Sequence, residues 1–145
     1  MGGGGDAFGQ EARDTLLKRM EDNRGNLIVI VAGYTDEMRE FIETNPGFKS
    51  RFNRYLHFDD YLPEDLYEIF ERLALRNGFE LADELKIQLK LKFNELYLHK
   101  DKSFGNARVV RNIFEKMVEN QSNRLANQSE NVSRIDLQKL LVHDI

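Results

Sequence analysis

The sequence predicts an α/β fragment followed by an all-α segment. Three observations carry that prediction. Leu27-Ile28-Val29-Ile30-Val31 is apolar without alternation, the pattern of a strand covered on both faces, as in the middle of a parallel sheet. Tyr55 to Phe58 reads as a second strand, and the crossover between the two, about two dozen residues long, suits a parallel arrangement. From about Tyr61 onward the apolar pattern is helical only. Two strands do not make a stable sheet alone, so the first part of the chain reads as one end of a larger sheet.

The elements follow in order. Met1 to Gly5 carries a glycine tract, and residues 1–6 are expected to form a flexible leader. Ala7 to Arg24 reads as a helix, with Phe8, Ala12, Leu16 and Met20 four apart, Leu17 widening the stripe, Asp6 able to cap it and Gly25 able to end it. After the first strand, Thr35 looks like a helix N-cap with Asp36 and Glu37 behind it, well placed for the helix dipole. Asn45-Pro46-Gly47 breaks that helix, and Phe48 to Phe52 is a turn or a short helical piece. Pro63 suits the first turn of a new helix, Leu66, Ile69, Phe70, Leu73 and Ala74 form its apolar stripe, and Gly78 ends it. Three more helices are expected near Asp83–Lys100, Asn106–Ala126 and Ser133–Val142. The organisation is therefore a leader over 1–6, an α/β part over 7–60 and a helical part over 61–145.

Composition narrows the function classes. At 41% hydrophobic and 32% charged, the 145 residues read as a soluble, globular chain. With 25 acidic against 21 basic residues, nucleic acid is an unlikely partner class. The chain has no cysteine, which excludes a disulfide framework, a thiolate metal site and a cysteine nucleophile. The apolar run at Leu27 is far too short to span a bilayer, and the glycines after Met1 do not open a signal peptide, so no membrane is expected and a cytoplasmic location is the default. His57, His99 and His143 stand apart, without ligand spacing, so no metal site is expected. No Gly-Lys-Ser or Gly-Lys-Thr phosphate loop occurs in the sequence.

Several blocks in fixed order resemble one family. Phe8-Gly9-Gln10-Glu11-Ala12 with Thr15 to Glu21, Val29-Ile30-Val31-Ala32-Gly33-Tyr34, Asn45 to Phe52, and Phe104-Gly105-Asn106-Ala107-Arg108-Val109-Val110-Arg111-Asn112 are similar to segments of the CbxX/CfqX-type AAA+ ATPases, the group of stage V sporulation protein K-like and CbbX-like proteins. The resemblance runs from about Phe8 to the C-terminus. It implies the end of an AAA+ large α/β subdomain followed by a helical lid of about four helices. It also implies that the Walker A loop and Walker B acidic pair of a complete module lie upstream, as does the substrate-gripping pore loop.

The resemblance gives roles to particular residues. Arg51 and Arg54 match the arginine-finger segment, whose guanidinium groups reach the ATP of a neighbouring subunit. A planar, permanently charged fork suits a phosphoryl group better than an ammonium does. The plain alternative is a pair of surface arginines bridged to Asp59, Asp60 or Glu64. Arg108 matches sensor 2, a lid arginine that touches the nucleotide of its own subunit. Its alternative is a solvated arginine in a helix first turn, which the dipole mildly disfavours, with Arg111 one turn further on as the fallback. Thr35 follows the apolar run where sensor 1 sits, though the usual asparagine is replaced, and an ordinary N-cap is the competing role.

The implied function is a share in ATP hydrolysis by a protein-remodelling ring, a homo-hexamer of AAA+ subunits acting with ATP and Mg2+ on an unidentified protein substrate. The chain by itself is expected to be inactive as an ATPase. The alternative is a stand-alone helical protein-interaction module without nucleotide chemistry.

Overall fold

The computed structural model describes residues 4–128 and 132–145, the first five of them by backbone alone. Among the described residues seven α-helices occur in the order α1 (Gly4–Asp22), α2 (Thr35–Glu43), α3 (Pro46–Arg51), α4 (Pro63–Arg76), α5 (Asp83–Leu98), α6 (Ala107–Ala126) and α7 (Arg134–Gln138). A two-stranded parallel sheet pairs β1 (Glu80–Leu81) with β2 (Lys139–Leu140), and a 3₁₀ turn follows over Val142–Asp144. The chain divides into two compact units, residues 1–58 and 59–145.

In the first unit, α1 begins at Gly4, within the glycine-rich stretch expected to be a leader. The side chains of Asp6 and Phe8, read above as cap and stripe residue, lie outside the described ones. Leu16, Leu17 and Met20 are half-buried, and Ala12 is exposed. The unit is anchored on Phe48 of α3, which is fully buried, with the Phe41 ring stacked on it at 4.7 Å and Phe52 at 5.8 Å. The α3 helix starts because Asn45 Oδ1 accepts the Gly47 N–H at 2.8 Å and Pro46 takes a first-turn position that needs no N–H donor. Gly47 packs closely against α1: a Cβ there would lie 3.0 Å from Leu17 Cδ1. Thr35 is the first residue inside α2 and not its cap. Tyr34 holds the cap position, without a side-chain bond.

The strands stand elsewhere than the sequence suggests. Neither Leu27–Val31 nor Tyr55–Phe58 is a strand, and Ile28, Ile30, Leu56 and Phe58 are between 84% and 87% exposed. A strand exists only where a partner offers a complementary row of N–H and C=O groups. Among the described residues no segment does so for either run.

The second unit closes its own core. Leu66, Phe70 and Ala74 of α4, Leu85, Leu89 and Phe93 of α5, Val110, Phe114 and Met117 of α6, and Leu140 of β2 form one buried cluster. Phe70 meets Phe93 at 6.0 Å and Phe114 edge-on at 5.8 Å. At the start of α4, the Leu62 N–H donates to Asp65 Oδ2 at 3.0 Å, behind which Pro63 leads the first turn. At its end Gly78 has φ +78, and the Gly78 and Phe79 N–H groups donate to the Leu75 and Ala74 carbonyls at 3.0 and 2.9 Å. This left-handed closure satisfies the last carbonyls and is open to glycine at little cost.

The helix expected over Ser133–Val142 is only five residues long. Gln121 is buried on α6, and its Nε2 donates to the carbonyls of Asp136, Leu137 and Lys139 at 3.3, 3.0 and 3.1 Å. Those carbonyls are thereby satisfied from outside, so the chain straightens into β2 and drops Leu140 into the core. Beyond it Asp144, fully buried, receives Arg124 through Nε at 2.8 Å and Nη2 at 3.0 Å, and accepts the Leu141 N–H at 2.8 Å.

Candidate phosphate-sensing arginines

Arg51 is the last residue of α3, one turn beyond the buried Phe48 that fixes that helix. Its Nη2 pairs with Glu21 Oε2 of α1 at 2.6 Å, and its Nη1 donates to the Gly47 carbonyl at 3.2 Å. The partner is Glu21, thirty residues away in sequence. Such a pair, about one-third exposed at the arginine, contributes roughly 0.2–1 kcal/mol, so its exchange for another anion is cheap. Arg54 lies beyond the end of α3, is exposed, and makes no hydrogen bond or ion pair among the described residues. The Thr35 side chain is exposed and likewise makes no hydrogen bond there.

Arg108 belongs to the second unit, as the second residue of α6. It is exposed and has no hydrogen-bond or ion-pair partner among the described residues. Arg111 is exposed as well.

The residue just before α6 was missed by sequence reasoning. Asn106 has φ 47 and ψ −124, and its side chain does not cap the helix. This backbone region is sparsely used outside glycine and costs on the order of 1–3 kcal/mol. The Asn106 Oδ1 accepts the Tyr61 N–H at 2.9 Å, and its Nδ2 donates to Asp60 Oδ1 at 2.7 Å. The other Asp60 oxygen accepts from Lys100 Nζ at 2.8 Å, a bond that raises the Lys100 ammonium above its usual range. An asparagine after a glycine at a helix start signals a cap, so only the positive φ distinguishes this use.

Each of these exposed or half-exposed guanidinium groups, Arg51 and Arg54 in the first unit and Arg108 in the second, can by itself donate to an anion such as a phosphate oxygen. They do not form a cation site, and among the described residues no three His, Asp or Glu side chains converge. No helix of the described residues is long and apolar enough to cross a membrane.

Residues 62–145, more than half of the chain and nearly all of the second unit, match the family described as AAA lid domain. The chain belongs to the AAA lid domain family. Its relatives include stage V sporulation protein K of Bacillus subtilis (strain 168), 41% identical over 129 residues that cover 85% of this chain and 38% of the relative. Protein CbbX of Cereibacter sphaeroides is 38% identical over 122 residues, 81% of this chain and 38% of the relative. The ESX-1 secretion system protein EccA1 of Mycobacterium tuberculosis (strain ATCC 25618 / H37Rv) is 38% identical over 127 residues, 83% of this chain and 22% of the relative. The chain thus spans well under half the length of these relatives. The lid-family match and these relatives bear out the resemblance to the C-terminal part of a CbxX/CfqX-type AAA+ module. The mostly helical architecture with one short parallel sheet agrees with an AAA lid.

Proposed function

We propose that this AAA lid chain is the C-terminal part of an ATP-hydrolysing AAA+ module that works in a cytoplasmic homo-hexameric ring on a protein substrate. The observation that carries the reading is Arg108: a guanidinium exposed in the first turn of a lid helix, with no internal partner among the described residues. A first-turn cation opposes the helix dipole, so an external anion is the partner that resolves the misfit. Bound ATP with Mg2+ supplies the transferred phosphoryl group and the charge that must be stabilised.

In this reading Arg108 touches the nucleotide of its own subunit. Arg51 leaves Glu21 to meet the nucleotide of the neighbouring subunit, and Arg54 supports it there. Thr35 stands ready to orient water. The parts that cradle phosphates and hold Mg2+ belong to the rest of the module, so the chain by itself does not hydrolyse ATP. Residues 61–145 act as the lid and 7–60 as the end of the large subdomain.

The test is made in the full-length protein carrying this chain. Arg51→Ala should lower ATP turnover by about a thousandfold, the scale of an arginine finger, with ring assembly intact by analytical ultracentrifugation. Unchanged turnover in both Arg51→Ala and Arg108→Ala overturns the proposal, as does phosphate release by the pure 145-residue chain.

A second reading, a helical protein-interaction module, has one observation in its favour. Ile87, Leu91 and Leu98 form an exposed apolar stripe on α5, on a helix whose opposite side is already buried. It is the reading left standing if the arginine substitutions change nothing.

A further inference from the structure

We propose that Asn106 is a positioning residue that couples Arg108 to the point where the chain enters the lid. The inference rests on the reading of Arg108 as a nucleotide-sensing arginine.

The start of α6 is built on Asn106 twice over. Its carbonyl accepts the first helical bonds, from the Val109 and Val110 N–H groups at 3.0 and 3.4 Å. Its side chain turns away from those N–H groups, although capping them is the ordinary use of an asparagine at this place. It holds Asp60 and Tyr61 instead, through a donated and an accepted bond of 2.7 and 2.9 Å. Residues 60 and 61 are among the first of the second unit, which begins at Asp59. Lys100, beyond the end of α5, fixes the remaining Asp60 oxygen at 2.8 Å.

The backbone of Asn106 sits in a region where only surrounding bonds keep a non-glycine residue. Two of the side-chain bonds go to the chain entry and a longer third, from Nδ2, to the Phe104 carbonyl at 3.4 Å, none of them to the helix. Arg108 lies two residues further on, so the direction in which α6 presents it depends on the same clamp. A phosphate drawing on Arg108 therefore loads Asp60 and Tyr61 through Asn106, and movement of the entry segment re-aims Arg108. Coupling here is carried by one residue with two identifiable attachments.

The experiment compares Asn106→Gly, Asn106→Asp, Asp60→Asn and the exchange D60N/N106D with Arg108→Ala in the full-length protein. Asn106→Gly accepts the backbone angles but removes the side-chain bonds to Asp60 and Tyr61, together with the longer one to the Phe104 carbonyl. Asn106→Asp sets two carboxylates face to face. The exchange restores one donor and one acceptor. Steady-state ATP hydrolysis is read as KM and kcat separately, and hydrogen exchange of the Tyr61 amide is followed in the 145-residue chain.

The expected result is a KM for ATP raised about three- to tenfold in both Asn106 variants, with kcat changed less, and most of that shift recovered by the exchange. The Tyr61 amide should exchange about tenfold faster in Asn106→Gly than in the wild type. If Arg108→Ala impairs hydrolysis while both Asn106 variants keep the wild-type KM, or if Tyr61 exchange is unchanged, the clamp is overturned and the reading of Arg108 stands. If Arg108→Ala leaves hydrolysis unchanged, that reading falls and the inference falls with it.

Discussion

Phe70, Leu89 and Phe93 of the second unit are fully covered, whereas Ile28, Ile30, Leu56 and Phe58 of the first are more than four-fifths exposed. Yet Leu27–Val31 is the most uniformly apolar run in the chain. The difference lies in how each pattern finds its cover. A helical stripe such as Leu66-Phe70-Ala74 needs only another stripe, and α4, α5 and α6 supply one another with three. An apolar strand needs partners on its edges and on both faces, and these are non-local. The same hydrophobicity is therefore a core in one unit and an open surface in the other.

The sharpest way to break this contrast is to truncate one apolar residue in each unit. Phe93→Ala should destabilise the chain by about 3–5 kcal/mol, whereas Ile28→Ala should change stability by less than about 0.5 kcal/mol. Urea unfolding followed by far-ultraviolet circular dichroism checks both, and equal costs would mean that Ile28 is covered after all. Next in size is Arg124→Ala. It strands the buried Asp144 carboxylate and should cost about 3 kcal/mol in the same assay.

The open surface of the first unit gives a smaller and different effect. Ile28→Lys combined with Ile30→Lys should abolish concentration-dependent self-association in light scattering while leaving the unfolding midpoint unchanged. A wild-type chain that stays monomeric at high concentration would count against it.

The smallest effect is a pH dependence. The hydrogen bonds from the Ser133 hydroxyl and then from the Ser133 backbone N–H hold Asp136 below its ordinary value of 3.8. A lowered carboxylate stabilises the fold fully above the unfolded value and loses that contribution as pH falls through the lower folded one. The stability gap between the wild type and Ser133→Ala should be full at pH 5 and shrink below pH 3.8, as urea midpoints across that range will register.

Legibility in the sequence follows the same division. The stripe of α4, Pro63 at a helix start and Gly78 at a helix end are local signals, and each is where the residues place it. The short α7 was hidden because Gln121, fifteen to eighteen residues away, captures its carbonyls. The real strands escaped notice because two-residue ladders carry no periodicity, and the expected ones because pairing is decided by partners. For the candidate site, it was the family resemblance that pointed to Arg51, Arg54, Arg108 and Thr35. The Glu21 pairing and the Asn106 clamp depend on separations of thirty and forty-five residues, which no spacing rule reaches.

The ladder between Leu81 and Leu140 joins positions about sixty residues apart. A growing chain that has released α4, α5 and α6 still has an unfilled gap in its core, because the side chain that plugs it is synthesised last among the core residues. Translation order thus imposes a waiting period in which three helices are made and their shared interior is open to water. Closure of the core is then timed by the arrival of residues 139–144 rather than by the helices themselves.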